Sequence, residues 1–179
     1  MKLIVIDMQK ALMDDELYNL EGLVKNVTGL IAAAREHHVE VIYVQHDAGA
    51  GTGFSVGDEA FEIADAVAPK AGERVFVKKA SSAFTNKDFA KYLEDAKDET
   101  LMIVGLQTNF CIDATVKSAF ERGYYVMLPE GTNSTFDNAY MSGKTTYEYY
   151  MNEVWPGLFA DCISMEDALG YIKNGVPQD

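Results

Sequence analysis

Cysteine is scarce in this chain: Cys111 and Cys162 are the only two in 179 residues, and no C-x-x-C pair occurs. A disulfide scaffold and a cysteine-based zinc site are thereby excluded. Basic residues are also few, 15 Lys+Arg against 28 Asp+Glu, for a net charge of −13. Nucleic acid and anionic membrane surfaces are disfavoured as partners, because affinity for a polyanion rests on clustered Lys and Arg. Long hydrophobic runs are missing too. The first apolar stretch, Leu3-Ile4-Val5-Ile6, ends at Asp7, and the longest, Leu101 to Leu106, is strand-sized. Neither suffices for a signal h-region or a bilayer span. The expectation is a cytoplasmic protein whose cysteines stay free thiols. There is no internal repeat, low-complexity block or linker, so residues 1–179 are expected to form one domain. At 48% hydrophobic and 24% charged the composition is that of a globular protein, and a chain this long buries roughly 70% of its unfolded surface.

Short apolar runs alternate with helix-period segments. Leu3 to Ile6, Val39 to Val44, Val75 to Val77, Leu101 to Val104 and Tyr124 to Leu128 read as strands, and Ile163 lies in a weaker sixth. Between the first two, Leu20, Leu23, Val24, Val27, Leu30, Ile31 and Ala34 line one helical face. Thr85-Asn86-Lys87-Asp88 reads as a capping-box variant opening a helix to about Lys97. Ile112, Val116, Ala119 and Phe120 mark another stripe, closed by Gly123 at a C′ position, and a last helix runs from about Met165 to Lys173. Strand–helix alternation with runs apolar on both faces implies an α/β fold: three layers, α/β/α, around a mainly parallel, doubly wound sheet of about six strands. The Gly49-Ala50-Gly51-Thr52-Gly53-Phe54 stretch fits neither a dinucleotide fingerprint nor a P-loop, which leaves it a pocket-side loop. Tyr140, Tyr147, Tyr149, Tyr150 and Trp155 form an aromatic cluster suited to core packing or to the interface of a homodimer or larger homo-oligomer.

In an open α/β sheet the site lies beyond the carboxyl ends of the strands. Asp7 follows the first run, His46 and Asp47 the second, Lys78 and Lys79 the third, Gly105 to Cys111 the fourth, and Glu130 the fifth. An acid, a base and a thiol thus converge on one edge. Cys111 opens a helix, with Thr108 or Asn109 as N-cap; free first-turn amides and the helix dipole are expected to lower its pKa, and a nearby lysine to lower it further. The same amides could receive an oxyanion. Asp7, among apolar neighbours, is expected to have a raised pKa suited to general acid or base work. Strand alternation leaves Lys78 and Lys79 as alternatives for the cation.

Three segments carry a family resemblance: Asp7-Met8-Gln9; Lys78-Lys79-Ala80-Ser81-Ser82-Ala83-Phe84; and Gly105-Leu106-Gln107-Thr108-Asn109-Phe110-Cys111-Ile112-Asp113-Ala114-Thr115. In order and spacing they resemble the isochorismatase-like cysteine hydrolases, which include nicotinamidases and N-carbamoylsarcosine amidohydrolases. The resemblance implies Cys111 as nucleophile, Asp7 as general base and acid, and Lys78 as the cation supporting the thiolate. It further implies a cis peptide between Leu106 and Gln107 and an oxyanion hole from the amides of Gln107 and Cys111. The implied reaction is hydrolysis of a small amide or related C–N bond through a thioester. The metal-binding nicotinamidases carry a D-x-H with a further His; here a lone His46 follows the second strand, so no metal and no other cofactor is expected. Retention of Cys111 points away from vinyl-ether cleavage. Leu12, His46, Phe84 and Phe110 are candidate substrate contacts by position. Other readings are a non-enzymatic small-molecule-binding or scaffolding domain, isochorismatase-type hydrolysis of another bond, and a redox sensor requiring Cys162 within ~7 Å of Cys111.

Overall fold

The computed structural model describes residues 1–94 and 100–177. The strands are β1 (Lys2–Ile6), β2 (Glu40–His46), β3 (Arg74–Lys78), β4 (Thr100–Leu106), β5 (Tyr125–Pro129), β6 (Asn133–Ser134) and β7 (Asp161–Ile163). They form one sheet in the order β3-β2-β1-β4-β5-β7, with β6 paired to the far end of β4, and every pairing is parallel. The helices are α1 (Leu20–Glu36), α2 (Lys87–Glu94), α3 (Asp113–Glu121), α4 (Gly143–Tyr149) and α5 (Met165–Asn174).

Period-two alternation divides the strand side chains between two cores. Leu3, Val5, Val41, Tyr43, Met102 and Val104 pack against Leu23, Val27, Leu30 and Ile31 of α1 and Ala168 and Ile172 of α5. Ile4, Ile6, Ile42, Val44, Leu101 and Ile103 pack on the opposite face against Phe89 and Leu93 of α2 and Val116 and Ala119 of α3. Burial on both faces is why these strands read as continuous apolar runs. The three layers and parallel winding expected from the sequence are present, and the winding reverses between β1 and β4. That pair of strand ends is the topological switch point, where α/β sheets open a crevice.

Several local expectations need correcting. The helix after β3 is capped by Asn86, whose Oδ1 accepts the Phe89 amide at 2.9 Å, whereas Thr85 Oγ1 turns back to the Ser82 carbonyl at 2.7 Å. Its expected end near Lys97 lies outside the described residues. The strand β6 and the helix α4 had no sequence signal. Within the aromatic cluster, Trp155 is buried and donates Nε1–H to Asp113 Oδ1 at 3.0 Å, while Tyr140 is 94% exposed. The cluster therefore divides between core and surface.

Candidate active site

The four strand ends β3, β2, β1 and β4 lie side by side, and each delivers one polar group. Asp7 directly follows β1 and is fully buried; its amide donates to the Val44 carbonyl at 2.8 Å. Its φ of 51° is a left-handed conformation that few non-glycine residues adopt and that recurs at functional positions. His46 ends β2 and Lys78 ends β3, paired in register. Strands lie ~4.8 Å apart, so a side chain from β3 must cross β2 to reach β1. The long stem of Lys78 does so, and its Nζ donates to Asp7 Oδ2 at 2.7 Å and to Cys111 Sγ at 3.2 Å. Neither charged side chain of the Asp7–Lys78 pair has any solvent exposure.

The segment after β4 aims the thiol. Gly105 has φ of 121°, and a Cβ there would stand 2.0 Å from the Ile6 carbonyl oxygen, so only glycine lets β4 run this close to the end of β1. The Leu106–Gln107 peptide is cis. Residues Thr108–Ile112 then form one π-helical turn leading into α3. Neither Thr108 nor Asn109 caps it, contrary to expectation. Thr108 Oγ1 instead donates to Asn133 Oδ1 in β6 at 2.6 Å, and Thr135 Oγ1 donates to Asn109 Oδ1 at 2.7 Å. Thr115 Oγ1 donates to the Cys111 carbonyl at 2.7 Å and accepts the Ala83 amide at 3.0 Å. The lysine-bearing motif and the cysteine-bearing motif are thus joined through one threonine.

Gln9, an uncharged residue of the first motif, is a strut. Its Nε2 donates to the carbonyls of His46 (3.0 Å) and Phe61 (2.8 Å), and its Oε1 accepts the His46 amide at 2.7 Å. This pair of hydrogen bonds to the backbone of one residue locks the β1 and β2 ends together. A glutamine three residues beyond the end of a buried strand, itself fully buried, has to find partners for both ends of its amide.

Electrostatically the site differs from expectation at the sulfur. Burial pushes the Cys111 thiol up to about 12, and the charge of Asp7 adds to the rise; Lys78 opposes both without reversing them. The expected lowering by the helix start is overturned, because desolvation of the charged form dominates. Asp7 behaves as expected: burial raises its carboxyl above the usual range, with Lys78 opposing. Its Oδ1 is buried and makes no hydrogen bond, an open acceptor beside the sulfur's ammonium partner. Burial and Lys78 hold His46 below its ordinary value.

Asp7, Lys78, Cys111 and His46 are brought together. A carboxylate, an imidazole and a thiol from Asp7, His46 and Cys111 lie within 4.8 Å of one another, a donor set of the kind that binds zinc. The Lys78 ammonium, however, touches all three, so the cationic position among them is taken by a side chain. Phe110 is 56% exposed next to Cys111. Phe84 is not a mouth residue: it is 6% exposed and packs against Phe89 and Tyr124, with ring centroids 5.2 and 5.8 Å away. Leu12, in the short turn Lys10–Leu12, packs against the α1-side core.

A parallel α/β/α sheet with this constellation at its switch point is the frame of a hydrolase class. Residues 2–156 match the isochorismatase domain family, and the chain belongs to that family of hydrolases. It is 32% identical over 138 residues to the isochorismatase family protein YddQ of Bacillus subtilis (strain 168), covering 74% of this chain and 77% of YddQ. It is 28% identical over 131 residues to N-carbamoylsarcosine amidase of Arthrobacter sp, covering 63% of this chain and 50% of the amidase. A solved isochorismatase from Pseudomonas putida KT2440 superposes with a TM-score of 0.86 at 25% identity, covering 93% of this chain and 88% of the other.

Proposed function

We propose that this chain is a metal-independent cysteine amidohydrolase that cleaves a small, non-peptide amide or related C–N bond through a thioester. The observation that carries the reading is a single buried ammonium, Lys78 Nζ, bonded at once to Asp7 Oδ2 and Cys111 Sγ. The resting sulfur holds its proton, since its pKa is about 12. Asp7 is the base that removes it, and Lys78 balances the negative charge as it moves from carboxylate to sulfur. The thiolate attacks the substrate carbonyl carbon, and the oxyanion is received by the amides of Gln107 and Cys111. Collapse breaks the C–N bond, Asp7 returns its proton to the leaving amine, and a thioester remains on Cys111. Water, deprotonated by Asp7, attacks the thioester; the acid departs and the sulfur is reprotonated. Likeness to an N-carbamoylsarcosine amidase supports the choice of bond.

The partner is then a small molecule rather than nucleic acid or membrane, in line with the net charge of −13. Among the described residues no helix is long and apolar enough to cross a membrane. A cytoplasmic setting suits the two free thiols, and exposed Phe110, Tyr140 and Tyr149 suit a homodimer or larger assembly. The test is turnover of a panel of small amides and N-carbamoyl amino acids, followed by intact-mass analysis of quenched reactions. The expected result is an acyl adduct on Cys111 and a loss of turnover of about 10³-fold or more in Cys111→Ala. Turnover that survives Cys111→Ala overturns the reading.

A further inference from the structure

We infer that His46 is a positioning residue, a neutral imidazole whose Nδ1 takes the third proton of the Lys78 ammonium and so fixes that ammonium between Asp7 and Cys111. The inference rests on the function proposed above and goes beyond it by giving His46 a task other than substrate contact. An ammonium has three protons to donate and nothing with which to accept. The buried Lys78 Nζ has three acceptors: Asp7 Oδ2 at 2.7 Å, Cys111 Sγ at 3.2 Å and His46 Nδ1 at 3.2 Å. All three protons are therefore assigned, and the ammonium has no freedom to rotate away from the sulfur.

The tautomer follows from this arrangement. Because Lys78 donates, His46 Nδ1 must present its lone pair, which leaves the ring proton on Nε2. Nδ1 is then engaged within the protein and is not left to read a substrate. The backbone of His46 is held independently by the two bonds from Gln9, and its ring packs against Phe54 with centroids 6.1 Å apart. The charged groups around the ring are Lys78, Asp7 and Asp47, and the Cys111 sulfur lies within 4.8 Å of the imidazole. Lys78 and burial favour the neutral ring, and the two carboxylates favour the charged one; the balance lies with the neutral ring. Protonation of His46 would remove the acceptor and set a second cation beside the first.

The effect of losing the acceptor is on the order of 10–100-fold in rate, the scale of one hydrogen bond to a charged group. Two measurements test the inference. The first is long-range proton–nitrogen NMR of the full chain labelled at the histidine ring nitrogens, with His46 assigned through His46→Asn. The expected spectrum has an Nε2–H, Nδ1-acceptor ring at pH 7, and a Lys78→Met variant in which the His46 pKa rises. The second is steady-state kinetics on the amide found active. His46→Leu is expected to lower kcat by about 10–100-fold with KM within about two-fold, and His46→Asn, whose Oδ1 can stand in for Nδ1, to recover most of the loss. An Nδ1–H tautomer, an imidazolium at pH 7, equal impairment of the Leu and Asn variants, or a change confined to KM would each overturn the inference. The NMR arm needs no substrate. A correct tautomer in a protein without Cys111-dependent turnover would thus sink the proposed function and leave this assignment standing.

Discussion

Removing the Lys78 charge while keeping its length, as in Lys78→Met, isolates the energetics of the site. The carboxylate of Asp7 would then be left with no cation at 2.7 Å and no solvent exposure. Deleting one partner of a buried ion pair leaves an uncompensated charge and costs about 3–5 kcal/mol. For a domain of this size each kcal/mol moves Tm by about 2–4 °C, so the midpoint falls by about 6–20 °C. The loss depends on pH, and its sign is fixed by the carboxyl group. Burial already raises Asp7 above its ordinary value, and Lys78 is the main opposing influence; without Lys78 the folded-state pKa rises further. Between the unfolded value near ~3.9 and that raised value, the native variant holds a proton that the unfolded chain has released. Stability of the variant therefore falls as pH rises through that window, and the deficit is fully developed above it. Urea denaturation at pH 5 and pH 8 is the assay, with Asp7→Asn/Lys78→Met as companion. The double variant removes both charges and is expected to return to within about 1–2 kcal/mol of the parent. A Lys78→Met protein within ~1 kcal/mol of the parent at pH 8, or a deficit that grows in acid, would refute the reasoning.

Two further expectations concern the thiol and the strand that carries it. In Asp7→Asn the carboxylate that helps to raise Cys111 is gone, so the thiolate absorbance step should move to lower pH than the value of about 12 in the parent. Turnover should nonetheless fall by about 10²–10⁴-fold, because the proton acceptor is lost; an unmoved step or retained turnover would count against Asp7 in both roles. Gly105→Ala would force a Cβ to 2.0 Å from the Ile6 carbonyl oxygen at φ of +121°. It should lose on the order of 3 kcal/mol or more in urea denaturation, and a loss under ~1 kcal/mol would mean that β4 can move away from β1 at little cost.

The parts of the fold legible in the sequence are those built by burial on both faces. Strands β1, β2, β4 and β5 and helices α1, α3 and α5 each have an apolar run or stripe, and their bounds agree with the sequence reading to within about two residues. Helix α4, Gly143–Tyr149, has no such stripe; it reads GKTTYEY. It is held by Ser142, whose side chain accepts the Thr145 amide at 3.0 Å, and by Tyr147, whose hydroxyl accepts the Gly131 amide at 2.7 Å. The second contact spans distant sequence and leaves no local periodicity to detect. Phe84 departs from its expected place at the pocket mouth for a related reason. Its motif lies next to the site in sequence, yet the short turn Ala83–Thr85 swings the ring into the core beside Phe89.

Convergence of Asp7, Lys78 and Cys111 could be inferred because strand order and direction bring their backbones to one edge, whatever the side chains do. The ionisation of the sulfur could not, because it is a difference between opposing effects that depend on distance. A helix start and a lysine both favour thiolate, and the sequence contains both. Burial of the sulfur and the negative charge of Asp7 oppose them, and neither is visible until Lys78 is found bonded to the carboxylate at 2.7 Å and to the sulfur at 3.2 Å. An ammonium already shared with a carboxylate stabilises a thiolate less than a free one would. The proton therefore stays on sulfur until Asp7 takes it, at which point the same ammonium faces one negative charge, now on the sulfur. A nucleophile generated in this way carries the total charge of the Asp7–Lys78–Cys111 set unchanged from the resting state to the attack. That constancy suits Asp7 and Lys78, whose side chains have no solvent exposure, since a net charge left on either would have to be stabilised without water.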